Sequence, residues 1–274
     1  MKIYITGLPS GYEVEHLVRL FYPMAPLTLT APEDGEDCVW AEKKPDGLWA
    51  MVRERGKSKT ARALLPDIET PEFALASLTY DLLRAWTGIR PPWGKMTGVR
   101  PVRLIHDKRA AGWSEEDIDQ FFLGRFDCSR QKYQMAKAIA DLQEPILKAG
   151  SVPKTYSLYI GIPFCPSRCS YCSFVSCNLD RDRKMVQPYV DCLCREVEEI
   201  KAQADKAGLT LCSIYIGGGT PTSLSADQLR QLMGTVRENF DLSQVMEYTV
   251  EAGRPDCTDA EKLAVIKEYG ATRI

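Results

Sequence analysis

From Ser157 onward the chain repeats one rhythm: a short β-rich run, a loop, then an amphipathic helical stretch. SLYIGIPF (157–164), CSIYIGG (212–218) and MEYTVEAG (246–253) read as strands. Each is followed by a helical pattern. The first covers 186–208 and stops at Gly208. The second covers 225–240 and opens on a Ser225/Gln228 capping box. The third covers 258–270, opens on Thr258/Glu261 and stops at Gly270. Strands alternating with helices predict an α/β fold, a parallel sheet or barrel built from βαβ units. Ala271–Ile274 reads as the approach to a fourth strand. Three βα units cannot close a barrel, so a partial (β/α) barrel in a truncated chain is expected.

Upstream the rhythm is different, and a smaller α+β domain is expected over 1–150, with SVPKTYS (151–157) as linker and the barrel part over 151–274. MKIYIT reads as a strand and Val14–Phe21 as a short helix. LTLT, CVWAEKK and LWAMVRER read as strands, with a turn at Pro45–Gly47. EFALASLTYDLLRAWTG has helical spacing and ends at Gly88. RPPWGKMTGVRP (90–101) carries enough Pro and Gly to predict an ordered loop. Ser114 opens a capping box, and Arg130–Ala149 is a long helix.

The chain has ten cysteines in 274 residues. A secreted disulfide framework favours short chains behind a signal peptide, and MKIYITGLPSGYEVEHL has no long apolar core of that kind. Nor does any run approach the ~18–20 apolar residues of a membrane span. A cytoplasmic protein is expected. The net charge of −2 predicts no broad attraction to nucleic acid or anionic lipid. In a reducing compartment, the crowding of Cys165, Cys169, Cys172 and Cys177 points to metal ligation or redox chemistry.

Cys165, Cys169 and Cys172 have the spacing C-x3-C-x2-C. Three thiolates on one short loop can hold three irons of a [4Fe–4S] cubane and leave the fourth iron open. S-adenosylmethionine (SAM) can chelate that iron through its amine and carboxylate, and an electron from the cluster then cleaves the S–C5′ bond. A zinc site completed by Cys177 is the alternative, whereas a ferredoxin-type cluster would want a C-x2-C-x2-C run. The triad follows a strand directly, where barrel enzymes place reactive groups. The second strand ends in IGGGTPT, whose glycines permit either close ligand approach or simply a tight turn. The third ends in Glu251, an acid in an apolar run that is either a surface residue or an acceptor for SAM. Tyr171 is either packing or a neighbour of adenine.

YIGIPFCPSRCSYCSF, IGGGTPT and VEAGRPD together resemble the radical SAM superfamily. More narrowly, they resemble the oxygen-independent coproporphyrinogen III dehydrogenases of haem biosynthesis, in their longer bacterial branch with an added N-terminal region. The resemblance covers about 150–274 and implies a radical SAM barrel. It implies a cluster on Cys165, Cys169 and Cys172, and SAM contacts from Tyr159, Tyr171, Gly218, Gly219, Thr220 and Glu251. It also implies oxidative decarboxylation of two propionates of coproporphyrinogen III to give protoporphyrinogen IX, with a low-potential flavodoxin or ferredoxin as electron donor. Neither nucleic acid nor membrane is an expected partner, and no catalytic side chain is singled out. Phe174 stands where the best-known members carry a further cysteine, as in related haem-binding chaperones. The long upstream region favours the dehydrogenase branch.

Other residues have plainer expectations. His16 and His106 read as surface or capping residues. The basic run Arg53, Arg55, Lys57, Lys59 and Arg62 reads as a solvated strand face or loop, or as a surface for porphyrinogen carboxylates or nucleic acid. Cys192 and Cys194 point to different faces of one helix. The GVRP segment (98–101) has no assigned role.

Overall fold

A computed structural model describes residues 1–28, 30, 32–65 and 69–274. They form two compact units, Met1–Asp141 and Leu142–Ile274, whose division falls inside one long helix.

In the first unit, β1 (Lys2–Thr6) pairs in parallel with β2 (Leu27–Thr28) and with β3 (Cys38–Lys44). The antiparallel strands β4 (Gly47–Glu54) and β5 (Lys57–Ala63) complete the order β2-β1-β3-β4-β5. Of the LTLT stretch, Leu29 lies outside the described residues. Strand alternation explains the core: Ile3, Val39, Ala41, Ala50 and Val52 face one side. There α1 (Tyr12–Arg19) adds Val14, Leu17 and Val18, and α2 (Pro71–Thr87) adds Leu75, Tyr80 and Leu83. The basic run turns out to cover the end of β4, a tight turn and the edge strand β5. Cations on an edge oppose unwanted strand pairing.

Three helices follow, with a small core of Ile105, Ile118, Phe122 and Tyr133. They are α3 (Pro101–Ala110), α4 (Glu115–Asp119) with a π-helical extension at Gln120–Arg125, and α5 (Arg130–Gly150). Sequence punctuation hid α3. The Pro/Gly cluster before it predicts only a loop, yet Pro101 sits at the first turn, where its missing N–H costs nothing.

In the second unit, β6 (Thr155–Ile162) begins within the expected linker. The short strands β7 (Phe164–Cys165) and β8 (Cys177–Asn178) follow, then α6 (Leu179–Asp182) and α7 (Val186–Ala207). The remaining elements are β9 (Thr210–Gly218), α8 (Ala226–Asn239), β10 (Glu247–Val250) and α9 (Ala260–Glu268). The sheet runs β10-β9-β6 and is wholly parallel, and Arg273 already makes a parallel bridge to Thr249. Ile160, Ile162, Ile214, Ile216 and Val250 face a core shared with Val190 and Val197 of α7, Leu232 and Val236 of α8, and Val265 of α9. The opposite sheet face carries Ser157, Tyr159, Ser213, Tyr215 and Thr249, because side chains alternate along a strand. Among the described residues, no helix is long and apolar enough to cross a membrane.

The Ser225/Gln228 capping box is present in both directions. The Thr258/Glu261 box is not: Asp259 is the N-cap of α9 and accepts from Lys262 N at 2.9 Å. Thr258 Oγ1 instead donates to Thr222 Oγ1 at 2.9 Å. Asp259→Ala is therefore expected to cost about 1 kcal/mol in urea unfolding, as loss of an N-cap does. A smaller loss than that of Thr258→Ala would refute the reassigned cap.

Candidate functional site

The cysteine loop is closed at its base by its own backbone. Phe164 and Cys165 of β7 pair with Cys177 and Asn178 of β8, and Cys177 N–H donates to Pro163 O at 2.7 Å. Within the loop, Cys172 N–H donates to Cys169 O at 3.0 Å. Cys165, Cys169 and Cys172 are all free thiols and half-buried. Tyr171, Phe174 and Val175 project outward, with Tyr171 88% exposed.

The end of β9 supports this loop from beneath. Gly219 N–H donates to Ile162 O at 2.7 Å. A Cβ on Gly219 would lie 2.9 Å from Phe164 O and 3.0 Å from Cys165 Sγ, so no side chain fits. Gly218 has φ +111°, a conformation that favours glycine, and a Cβ there would meet Ile162 backbone at 3.0 Å. The close approach that the triple glycine predicts is thus made to the protein's own first strand and cysteine loop. Thr220, buried, lies with Oγ1 3.4 Å from Cys165 Sγ.

The segment after β10 reaches the same loop. Arg254 donates to Ser167 O at 2.8 Å and Ser167 Oγ at 3.1 Å, and its Nη1 lies 3.7 Å from Cys169 Sγ. Asp256 holds the guanidinium through Nε at 3.0 Å. Arg254 is not among the residues the sequence singled out. Its signal is a cation just past the third strand, with an acid two positions later.

Tyr159, Tyr215 and Glu251 form the other part of the site. Ser-x-Tyr-x-Gly occurs twice, at Ser157–Gly161 and Ser213–Gly217, and the two copies pair residue for residue across β6 and β9. Ser213 Oγ donates to Ser157 Oγ at 2.8 Å, and the tyrosine rings stack at 5.9 Å with 12° between planes. Tyr215 donates its hydroxyl to Glu251 Oε1 at 2.6 Å. That hydrogen bond, reinforced by burial and by the carboxylate charge, pushes the Tyr215 phenol up to about 12. Glu251 is thus held in place by Tyr215, a second residue that sequence reasoning missed. The repeated SLYIG and SIYIG runs were the available signal.

The structure brings Cys165, Gly218, Gly219 and Thr220 together, places Cys169 against Arg254, and sets Tyr159 beside the Tyr215–Glu251 pair. It does not gather the three sulfurs: among the described residues no three His, Cys, Asp or Glu side chains converge on one point. The donor set nevertheless fits an iron–sulfur group, being three free thiols on one clasped loop with a cation beside them. Cys177, also a free thiol, packs against the apolar core. Cys192 is exposed and Cys194 buried, as their opposed helix faces predict. His16 lies against the Tyr12 ring, with centroids 4.0 Å apart.

No family model matches the sequence. The chain is 36% identical over 201 residues to the oxygen-independent coproporphyrinogen-III oxidase-like protein HemZ of Bacillus subtilis, covering 71% of this chain and 39% of that protein. It is 41% identical over 119 residues to heme chaperone HemW of Bacillus subtilis, covering 43% and 30% respectively. Among solved structures, the radical SAM coproporphyrinogen III oxidase HemN of Escherichia coli is 29% identical, with a TM-score of 0.39 over 49% of this chain and 30% of that one. The chain thus spans well under half the length of these relatives.

Proposed function

The chain belongs to the radical SAM coproporphyrinogen oxidase-like family, and from that membership we propose that its Leu142–Ile274 unit holds a [4Fe–4S] cluster and SAM at the ends of β6, β9 and β10. The observation that carries this reading is the seating of the Cys165 loop on Gly219. It puts a three-thiol loop against the strand end whose backbone would receive the methionyl group. On this reading Cys165, Cys169 and Cys172 ligate iron, and the three βα units are the opening part of a (β/α) barrel. Gly218, Gly219 and Thr220 bind the methionyl end of SAM, while Tyr159 and Tyr171 lie along the cofactor. Glu251, oriented by Tyr215, accepts hydrogen bonds from SAM amine or ribose hydroxyls. Arg254 fixes the loop through Ser167 and supplies positive charge next to Cys169. When bound, cluster and SAM together supply one-electron cleavage of the sulfonium, which lets hydrogen be taken from an unactivated carbon.

The substrate in this proposal is coproporphyrinogen III, decarboxylated oxidatively in the cytoplasm with electrons from a flavodoxin- or ferredoxin-type donor. Haem binding without turnover is the second reading. It is favoured by Phe174, which is 66% exposed on the cysteine loop, and by the identity to a heme chaperone. After anaerobic reconstitution, the chain is incubated with SAM, a reductant and coproporphyrinogen III, and separately with haem. Protoporphyrinogen formation supports the first reading, and stable haem uptake without it supports the second. Glu251→Gln is expected to weaken SAM binding about tenfold in equilibrium dialysis, the loss of one charge-assisted hydrogen bond. Unchanged affinity would remove Glu251 from the site.

A further inference from the structure

Residues 95–99 of the loop expected over 90–101, a stretch that includes the start of the unassigned GVRP segment, form one wall of a cavity of ≈ 370 Å³ in the Met1–Asp141 unit. That size is in the range of small-molecule sites, roughly 300–1,000 Å³. Phe73, Phe121 and Phe126 line it and brace one another, with ring centroids 5.2 Å apart for Phe73–Phe126 and 4.8 Å for Phe121–Phe126. Leu17 and Met96 add to the apolar lining. The wall is preformed: Lys95 N–H donates to Phe126 O at 2.7 Å. Gly94, at φ +59°, packs so close that a Cβ would lie 2.0 Å from the same oxygen.

Into this lining the first turn of α1 places Glu13. Its Oε2 is buried and accepts no hydrogen bond from any described residue. Glu13 as a whole is half-buried, and burying even one carboxylate oxygen without a partner is costly. Glu15, two positions on, shows the ordinary outcome, an ion pair with Arg19 at 2.8 Å. Burial, with the Glu72 charge nearby, raises the Glu13 carboxyl above its ordinary range, as expected of an acid lacking a counter-ion. Lys95, which also lines the cavity, is already engaged. Its ammonium donates to Ser77 Oγ at 2.6 Å and Asp81 Oδ2 at 3.0 Å, and lies 5.4 Å from the Tyr80 ring centroid. Outside the cavity the same rings already carry protein cations, Arg125 5.0 Å from the Phe73 ring and Lys108 4.5 Å from that of Phe121.

We propose that this cavity binds a small organic ammonium ion, with its aromatic or aliphatic body against Phe73, Phe121 and Phe126 and its N–H donors on Glu13. The site belongs to the other unit from the cysteine loop and does not depend on what that loop holds. Calorimetric titration of the whole chain with phenethylammonium, and in parallel with 2-phenylethanol, tests it, because the two probes share a shape and differ in charge. The amine is expected to bind saturably and at least about tenfold tighter than the alcohol. Glu13→Gln, which keeps the shape of the side chain and removes its charge, should abolish that preference while leaving the thermal midpoint no lower. Equal affinity for the two probes, a preference that survives Glu13→Gln, or no saturable binding of either at roughly 10 mM would each overturn the assignment. The two-probe comparison on the unsubstituted chain decides the matter even if the variant were to fold poorly.

Discussion

Reconstituted anaerobically with iron and sulfide, the Cys169→Ala variant is expected to carry almost no iron, against about four irons in the unsubstituted chain. The size of the effect follows from ligand number. A cubane held by three thiolates has no spare protein ligand, and the next cysteine along the chain, Cys177, packs against the core at the base of the loop. Cys165→Ala and Cys172→Ala should behave alike, and Cys177→Ala should keep its iron. The structure also says what each substitution leaves behind. Without Cys165 the Thr220 hydroxyl loses its 3.4 Å sulfur neighbour, and without Cys169 the Arg254 guanidinium keeps its bonds to Ser167 and Asp256. Neither change removes core, so thermal unfolding of the iron-free variants should match that of the iron-free parent. Full iron content in Cys169→Ala, or loss of iron only in Cys177→Ala, would sink the three-cysteine assignment.

The second large effect is expected at Gly219. A methyl group there meets Phe164 O at 2.9 Å, Cys165 Sγ at 3.0 Å and Pro163 C at 3.0 Å. Two of these atoms are backbone, so relief requires the strand end or the cysteine loop to move. Overpacking of this kind costs about 1–3 kcal/mol. Gly219→Ala should therefore unfold at lower urea concentration and take up less iron, because the displaced atoms carry a ligand. Gly253→Ala is the control, since a Cβ there has nothing within 4 Å, and its change should lie within about 0.5 kcal/mol. If the two variants were indistinguishable in both unfolding and iron content, the seating of the loop on β9 would be wrong.

These two sites also show what a sequence makes visible. The cysteine spacing is local, so C-x3-C-x2-C could be recognised without knowing the fold. The βα rhythm from Ser157 was equally legible, because apolar alternation in β6 and β9 and the Ser225/Gln228 box are written in adjacent residues. Partnerships that span long chain separations were not. Arg254 meets Ser167 and Tyr215 meets Glu251 only once parallel strands bring their ends together, and nothing near either residue announces its partner. Thr258 was misread for a related reason: Thr222, remote in sequence, takes its hydroxyl and leaves capping to Asp259. The helix after Pro101 was lost to the density of Pro and Gly before it. Glu13 shares a cavity lining with Phe73, Phe121 and Phe126, a grouping of residues remote in the chain that no local pattern announces.

The short pairing of β7 with β8 has a consequence for how such a protein matures. Because Phe164–Cys165 and Cys177–Asn178 zip the base of the loop, residues 166–176 form a separate tab outside the sheet. None of the β6–β9–β10 ladder bonds runs through that tab, so the sheet can reach its final register before any metal arrives. On the proposed reading, filling the cysteine loop with iron and sulfide would be a step that follows folding, one that needs access only to this tab and not to a nascent chain.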